Sequence, residues 1–274
     1  MKPKKKRDIS ILTTISVGAI FILLFLLLVS FYEYNGFKRA GISFSSDDPY
    51  IHLNLARSFS EGKGFSLNPP HQTATSSSFL WTLLISTFFI FTSEVVIIVH
   101  IFGILLIILS SFIFYFLALS LSKSRIIALL SSGIFLLEWH TIWFAISGME
   151  VSLFILLILS SLLSFEKRGC SIITGILVGL LAITRPEGAI MFFLFLFTSI
   201  YKKRLPLGYT ISFLLLILPV ILFNLIVSGK PLPQTFYAKY LYYHQIMVNP
   251  ITSYFLDVLK YFFLSPWLIV NYGA

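Results

Sequence analysis

One cysteine in 274 residues, Cys170, excludes an intrachain disulfide and any metal site built on cysteines. Charge is scarce too: Asp, Glu, Lys and Arg make up 11% of the chain, against 57% hydrophobic residues. No glycine-rich nucleotide-binding loop, internal repeat or low-complexity linker interrupts the sequence. What is abundant is grease. There are 29 Phe, mean hydropathy is +0.93, and several apolar runs approach or exceed the roughly 17–25 residues that span a bilayer. A soluble core cannot hide that much apolar surface. A membrane β-barrel would alternate at period two, whereas these runs are continuously apolar. The expected class is therefore all-α: a polytopic transmembrane helical bundle.

The net charge of +9 lies in short clusters between apolar runs: Lys2 to Arg7, Lys123 and Arg125, Lys167 and Arg168, Lys202 to Arg204. That is the distribution of cytoplasmic loops under the positive-inside rule, and it argues against a nucleic-acid partner. The basic head followed by Ile9 to Ser30 resembles a signal peptide, but the run exceeds a typical signal core and no small-x-small cleavage site follows. It reads as a retained first span, leaving Tyr32 to Ser78 extracytoplasmic.

Phe79 to Phe91 would make a helix of only about 20 Å, short for a crossing. If it crossed, every later basic cluster would fall on the wrong side. The expected topology therefore keeps it at the interface or re-entrant. Val95 to Leu121 then goes in, Ile126 to about Trp143 out, Val151 to Phe165 in and Ser171 to Ile183 out. Ala189 to Ile200 goes in again, and Leu207 to Val227 out. The segment after Tyr254 is apolar but carries Asp257 and Lys260, as a last span or an interfacial helix. This gives a single domain over residues 1–274, with a first span (1–31), an extracytoplasmic loop holding juxtamembrane helices (32–94) and the remaining spans (95–274). The chain stops at Ala274 without a cytoplasmic tail, as a chain lacking a C-terminal portion would.

The topology gathers four polar constellations on one side: Asp47 with Asp48, Glu150, Arg185 with Glu187, and the Gly229–Tyr240 loop with Tyr237 and Lys239. Ionisable groups clustered at a membrane face mark a polar site. Each also has an ordinary structural reading. Pro49 suits the first position of a short amphipathic helix, with Ile51, Leu55 and Phe59 on its apolar face, which puts Asp48 at the N-cap and leaves Asp47 without a capping role. His52 falls on the apolar side, where packing competes with ligand binding, and His71 sits in a solvated turn. Ser147 to Glu150 has capping-box spacing. Glu187 after Pro186 is normal helix-start chemistry. Arg185 is harder to dismiss, because a guanidinium near the bilayer needs an anionic partner: Glu150, Glu187 or a lipid phosphate. Lys239 can serve as a snorkelling anchor beside the aromatic loop.

Five ordered blocks resemble the GT-C superfamily of polyprenyl-phosphate-dependent glycosyltransferases, arabinofuranosyltransferase-like members above all. They are DDPYIHLNLARSFSEGKGF (47–65, similar to a DDAYI…AR…GxG pattern), SSFLWTLL (77–84), SGMEVSLF (147–154), TRPEG (184–188) and LPQTFYAK (232–239), and they cover nearly the whole chain. The resemblance implies a multi-pass protein of the plasma (inner) membrane with an extracytoplasmic active site and a first loop whose juxtamembrane helices do not cross. It implies transfer of a sugar from a polyprenyl-phosphate donor to a hydroxyl of a glycan, lipid or protein acceptor, with inversion. Carried over by position, Asp47 is the general base with Asp48 beside it. His52, Glu150, Arg185, Glu187, Tyr237 and Lys239 are the candidate substrate-binding residues, Arg185 and Lys239 facing the lipid phosphate. No cofactor is expected; a metal-free mechanism is favoured over a divalent cation held by Asp47 and Asp48. The rival class is a transporter or flippase of lipid-linked sugars, which would show broken helices near the midplane and internal repeats. A third reading is a non-catalytic assembly subunit.

Overall fold

The computed structural model describes residues 11–238 apart from 41, 42, 45, 70 and 204, together with residue 241; the side chains of 37–40 are not described. Among the described residues every extended element is a helix, so the all-α expectation holds. In chain order these are α1 (Ile11–Ala40), α2 (Asp48–Ser60), α3 (Phe79–Phe89), α4 (Val95–Ser122), α5 (Arg125–Leu137) and α6 (Trp139–Ile146). After them come α7 (Val151–Arg168), α8 (Ile172–Thr184), a 3₁₀ turn at Pro186–Gly188, α9 (Ala189–Tyr201) and α10 (Leu207–Ser228).

Three of these helices are long and apolar enough to cross a membrane: α1 over Ile11–Gly36, α4 and α10. This is a membrane protein with transmembrane helices. The expected crossing from Ile126 is a bent pair, α5 and α6, turned through 58° at Glu138. There the Glu138 carboxylate caps α6 by accepting from the Thr141 amide at 2.9 Å and meets His140 Nδ1 at 2.6 Å. The sequence-based spans at 171–183 and 189–200 become α8 and α9, helices of 13 residues each. At about 20 Å apiece they fall short of the roughly 30 Å hydrocarbon thickness. The intended non-crossing segment is α3, whose 11 residues reach only about 16 Å.

Hydrophobic packing sorts the helices into three linked clusters. Trp81, Ile85, Val99, Leu153 and Leu181 join α3, α4, α7 and α8; Phe25, Ile107, Leu136 and Ile142 join α1, α4, α5 and α6; Val178, Phe192, Phe195 and Tyr209 join α8, α9 and α10. Glycine allows two of the closest approaches. A Cβ on Gly103 would strike the Ala145 carbonyl of α6, and one on Gly175 would strike the Tyr209 carbonyl and the Ser212 hydroxyl of α10. Small residues at such contacts let membrane helices approach closely. Gly175→Leu is therefore expected to cost about 1–3 kcal/mol or more through overpacking. Thermal unfolding in detergent checks this, and an unchanged transition would show that α8 and α10 are free to separate.

Alternating helix directions put the two kinds of connection at opposite ends. The turns carrying Lys123 and Arg125, Lys167 and Arg168, and Lys202 lie at one end, where α4, α7 and α9 finish. The starts of α2, α3 and α7, the α8–α9 turn and the end of α10 lie at the other. The loop after α10 is tied there by the Gln234 amide, which donates to the Ala74 carbonyl at 2.8 Å, and by Asn224 Nδ2, which donates to the Pro231 carbonyl at 3.2 Å.

Candidate functional site

At that second end a chain of polar contacts runs into the protein from a partly exposed guanidinium. Arg185 stands between α8 and the 3₁₀ turn, where Pro186 ends the helix and turns the backbone extended. Its Nη1 donates to Glu150 Oε1 at 3.1 Å, and its Nη2 to Glu187 Oε1 at 3.4 Å. The Phe154 ring lies beneath the guanidinium, 5.8 Å from its carbon to the ring centroid. Glu150 is only 2% exposed, whereas a third of the Arg185 side chain meets solvent. Glu187 is mostly exposed and contributes a weak, screened contact.

Glu150 does not complete the expected capping box. Gly148 takes a left-handed conformation (φ +72°) between α6 and α7, and the Ser147 hydroxyl accepts from the Met149 amide instead. This turn delivers Glu150 to the N-cap of α7 without a side-chain capping bond, so its carboxylate points inward to Arg185 and His52. Trp81, fully buried on α3, locks the same turn by donating its indole N–H to the Gly148 carbonyl at 3.2 Å.

His52 on α2 completes the buried line. Its Nε2 stands 3.5 Å from Glu150 Oε2, and its Nδ1 lies 3.1 Å from the Thr82 hydroxyl. Thr82 Oγ1 donates to the Ser78 carbonyl at 3.0 Å and lies 2.9 Å from the Ser76 hydroxyl. Burial pushes the His52 ring below the ordinary histidine range, against the opposing pull of Glu150 and Asp48. At 3% exposure His52 is a packed histidine held by internal partners, not one that reaches into solvent.

The acid pair sits at the start of α2, one position from where the sequence put it. Asp47, not Asp48, is the N-cap, and its side chain makes no capping hydrogen bond; Asp48 is the first helical residue. Both are exposed. The apolar face of α2 is also rotated from the expected one. Pro49, His52, Leu53, Leu55 and Ala56 are buried, while Tyr50, Ile51 and Phe59 stay outside, because the helix packs on α3 along its histidine side. Asp48 is near enough to act on the His52 charge, but the ion pairs of Arg185 go to Glu150 and Glu187 rather than to the aspartates.

Tyr237 lies at the same end and carries Lys230 over its ring at 4.6 Å. Lys239 lies outside the described residues, as do the basic head and the segment after Tyr254. Between α3, α8, α10 and the following loop is a mostly apolar cavity of about 110 Å³, with Phe79, Ile217, Val220 and Phe223 in its walls. Ser76 and Pro186, neighbours of the polar line, also face it. Among the described residues no three His, Cys, Asp or Glu side chains converge as a metal set.

Sequence reasoning missed Thr82, Ser76 and Trp81 as partners of the line. Hydroxyls at Ser76, Ser78 and Thr82, just before and within an otherwise apolar helix start, were the available signal. It also missed a polar contact, His100 Nδ1 to Glu33 Oε1 at 3.2 Å, which ties α4 to α1 beside Phe44. No protein-family model, curated protein or solved structure matches this chain.

Proposed function

We propose that this protein is a GT-C-type glycosyltransferase that moves a sugar from a polyprenyl-phosphate donor to an acceptor hydroxyl. The observation that carries the reading is Arg185. It is a guanidinium one-third exposed, anchored by a buried carboxylate, next in sequence to Pro186 in the wall of an apolar cavity and at the same end of the bundle as two exposed aspartates. An amphiphile with an anionic head needs that pairing of greasy wall and planar cation. Asp47 takes the proton of the acceptor hydroxyl, whose oxygen attacks the anomeric carbon. The new bond forms on the face opposite the breaking sugar–phosphate bond, so the configuration inverts. Arg185 receives the departing lipid phosphate, where charge develops in the transition state. Tyr237 lies at the same end, and Lys239, outside the described residues, is the second cation proposed for the lipid phosphate.

Incubating the purified protein with labelled polyprenyl-phosphate sugars and following released lipid phosphate tests the reading. Donor turnover supports it; donor binding without turnover would favour a transporter or an assembly subunit. The bend at Glu138 is the one observation on the transporter's side. Its carboxylate is occupied by Thr141 and His140, and so is not an open coordination site.

The proposed location is the plasma membrane with the site outside. In a Cys170→Ser background, cysteines at Ser46 and Lys230 are expected to react with a membrane-impermeant maleimide in intact cells. One at Lys167 is expected to react only after lysis. Labelling of Ser46 and Lys167 from the same side would overturn this orientation.

A further inference from the structure

Arg185 has one firm anchor, and that anchor is buried. Glu150 takes the guanidinium through Oε1, while its other oxygen, Oε2, is enclosed and accepts no hydrogen bond among the described residues. A carboxylate so placed depends on the neighbouring positive charge, because burying it uncompensated is strongly unfavourable. When Arg185 turns its donors toward an oxyanion, the anion cancels the field on which Glu150 relies. Another positive charge must then replace it.

His52 stands where that charge is needed. With the Thr82 hydroxyl proton given to the Ser78 carbonyl, the arrangement its 3.0 Å contact allows, His52 Nδ1 is left to donate to Thr82 Oγ1. In a neutral ring Nε2 then turns a lone pair toward Glu150 Oε2, 3.5 Å away. Two acceptors face each other across a gap that one proton would close. We propose that His52 takes up a proton as an oxyanion engages Arg185, so that Glu150 passes from guanidinium to imidazolium and anion binding at this site is linked to protonation. The proposal rests on the reading of Arg185 as the phosphate-binding group and adds a regulation to that site.

The charges that face His52 set the direction of the linkage. Glu150 comes from α7, Arg185 from the end of α8, and Asp48 from α2 itself, while α3 and the loop before it present only the hydroxyls of Thr82 and Ser76. Burial is the largest influence and disfavours the charged ring, Glu150 and Asp48 favour it, and Arg185 disfavours it. An anion on Arg185 removes one opposing contribution and leaves both favourable ones. Proton affinity at His52 therefore rises on binding, and by reciprocity the anion binds more tightly as the pH falls.

The test uses the full chain in lipid nanodiscs and citronellyl methyl phosphate, a phosphodiester that does not titrate near neutrality. Calorimetry in two buffers of different ionisation heat reads net proton uptake on binding. The wild type is expected to take up protons and to lose affinity by about three- to tenfold per pH unit between about pH 5.5 and 7.5. His52→Gln is expected to bind with an affinity constant to about twofold over that range. The wild-type proton count decides the matter even where the variant folds poorly. Binding without proton uptake would overturn the relay and leave Arg185 as the anion site. Failure of the wild type to bind, or equal binding by Arg185→Gln, would overturn both.

Discussion

Asparagine at position 47 is expected to slow sugar transfer by about 10²–10⁴-fold, the usual contribution of a general base, while the fold is kept. The expectation of an intact fold comes from the local geometry. Asp47 is exposed at the N-cap of α2, its side chain makes no capping bond, and asparagine serves as well at that position. Nothing structural is therefore removed with the carboxylate. Turnover of a labelled polyprenyl-phosphate sugar, measured beside thermal unfolding in the same detergent, separates the two quantities. Wild-type turnover by this variant would remove Asp47 from the mechanism.

Arg185→Gln is expected to be damaging twice over. Losing a cation that meets developing phosphate charge typically costs about 10²–10³-fold in turnover. Removing one partner of a buried ion pair costs about 3–5 kcal/mol, because the charge left behind has no compensation. Arg185 is a third exposed, so the lower end of that range applies here. The two effects can be told apart by pairing the variant with Glu150→Gln. The double variant has no stranded charge and is expected to regain most of the lost stability. It is not expected to regain transfer. A double variant as unstable as Arg185→Gln alone would show that the pair holds the α7–α8 junction by shape rather than by charge. Recovered transfer would remove Arg185 from the chemistry.

The positions of the chemistry-bearing residues were partly legible. Arg185 drew notice because a guanidinium in an apolar run needs a counter-charge, and the two carboxylates among the anions named for it, Glu150 and Glu187, are its partners. The side chains around His52 were not legible. A histidine on an apolar helix face says nothing of which hydroxyl it meets, and Thr82 is thirty residues away in sequence. The capping-box reading of Glu150 failed for a similar reason. The Ser-x-x-Glu spacing fits a capping box until a left-handed glycine at position 148 turns the carboxylate inward. The register of α2 slipped by one residue, since Asp47 and Asp48 offer the same capping chemistry and only packing on α3 chooses between them.

Composition and the length of the apolar runs by themselves determined the helical membrane class, because lipid demands internally satisfied backbones and long apolar segments. They also marked the stretch after Ser78 as too short to cross. Tertiary structure decided which helices have spanning length, where the crossing after Arg125 bends, and that Arg185, Glu150, His52 and Thr82 form one continuous line. Hydropathy is summed along a segment and survives any arrangement of its neighbours. A polar contact a few ångströms long depends on turn geometry and helix rotation, and those are set only when α2, α3, α7 and α8 pack together.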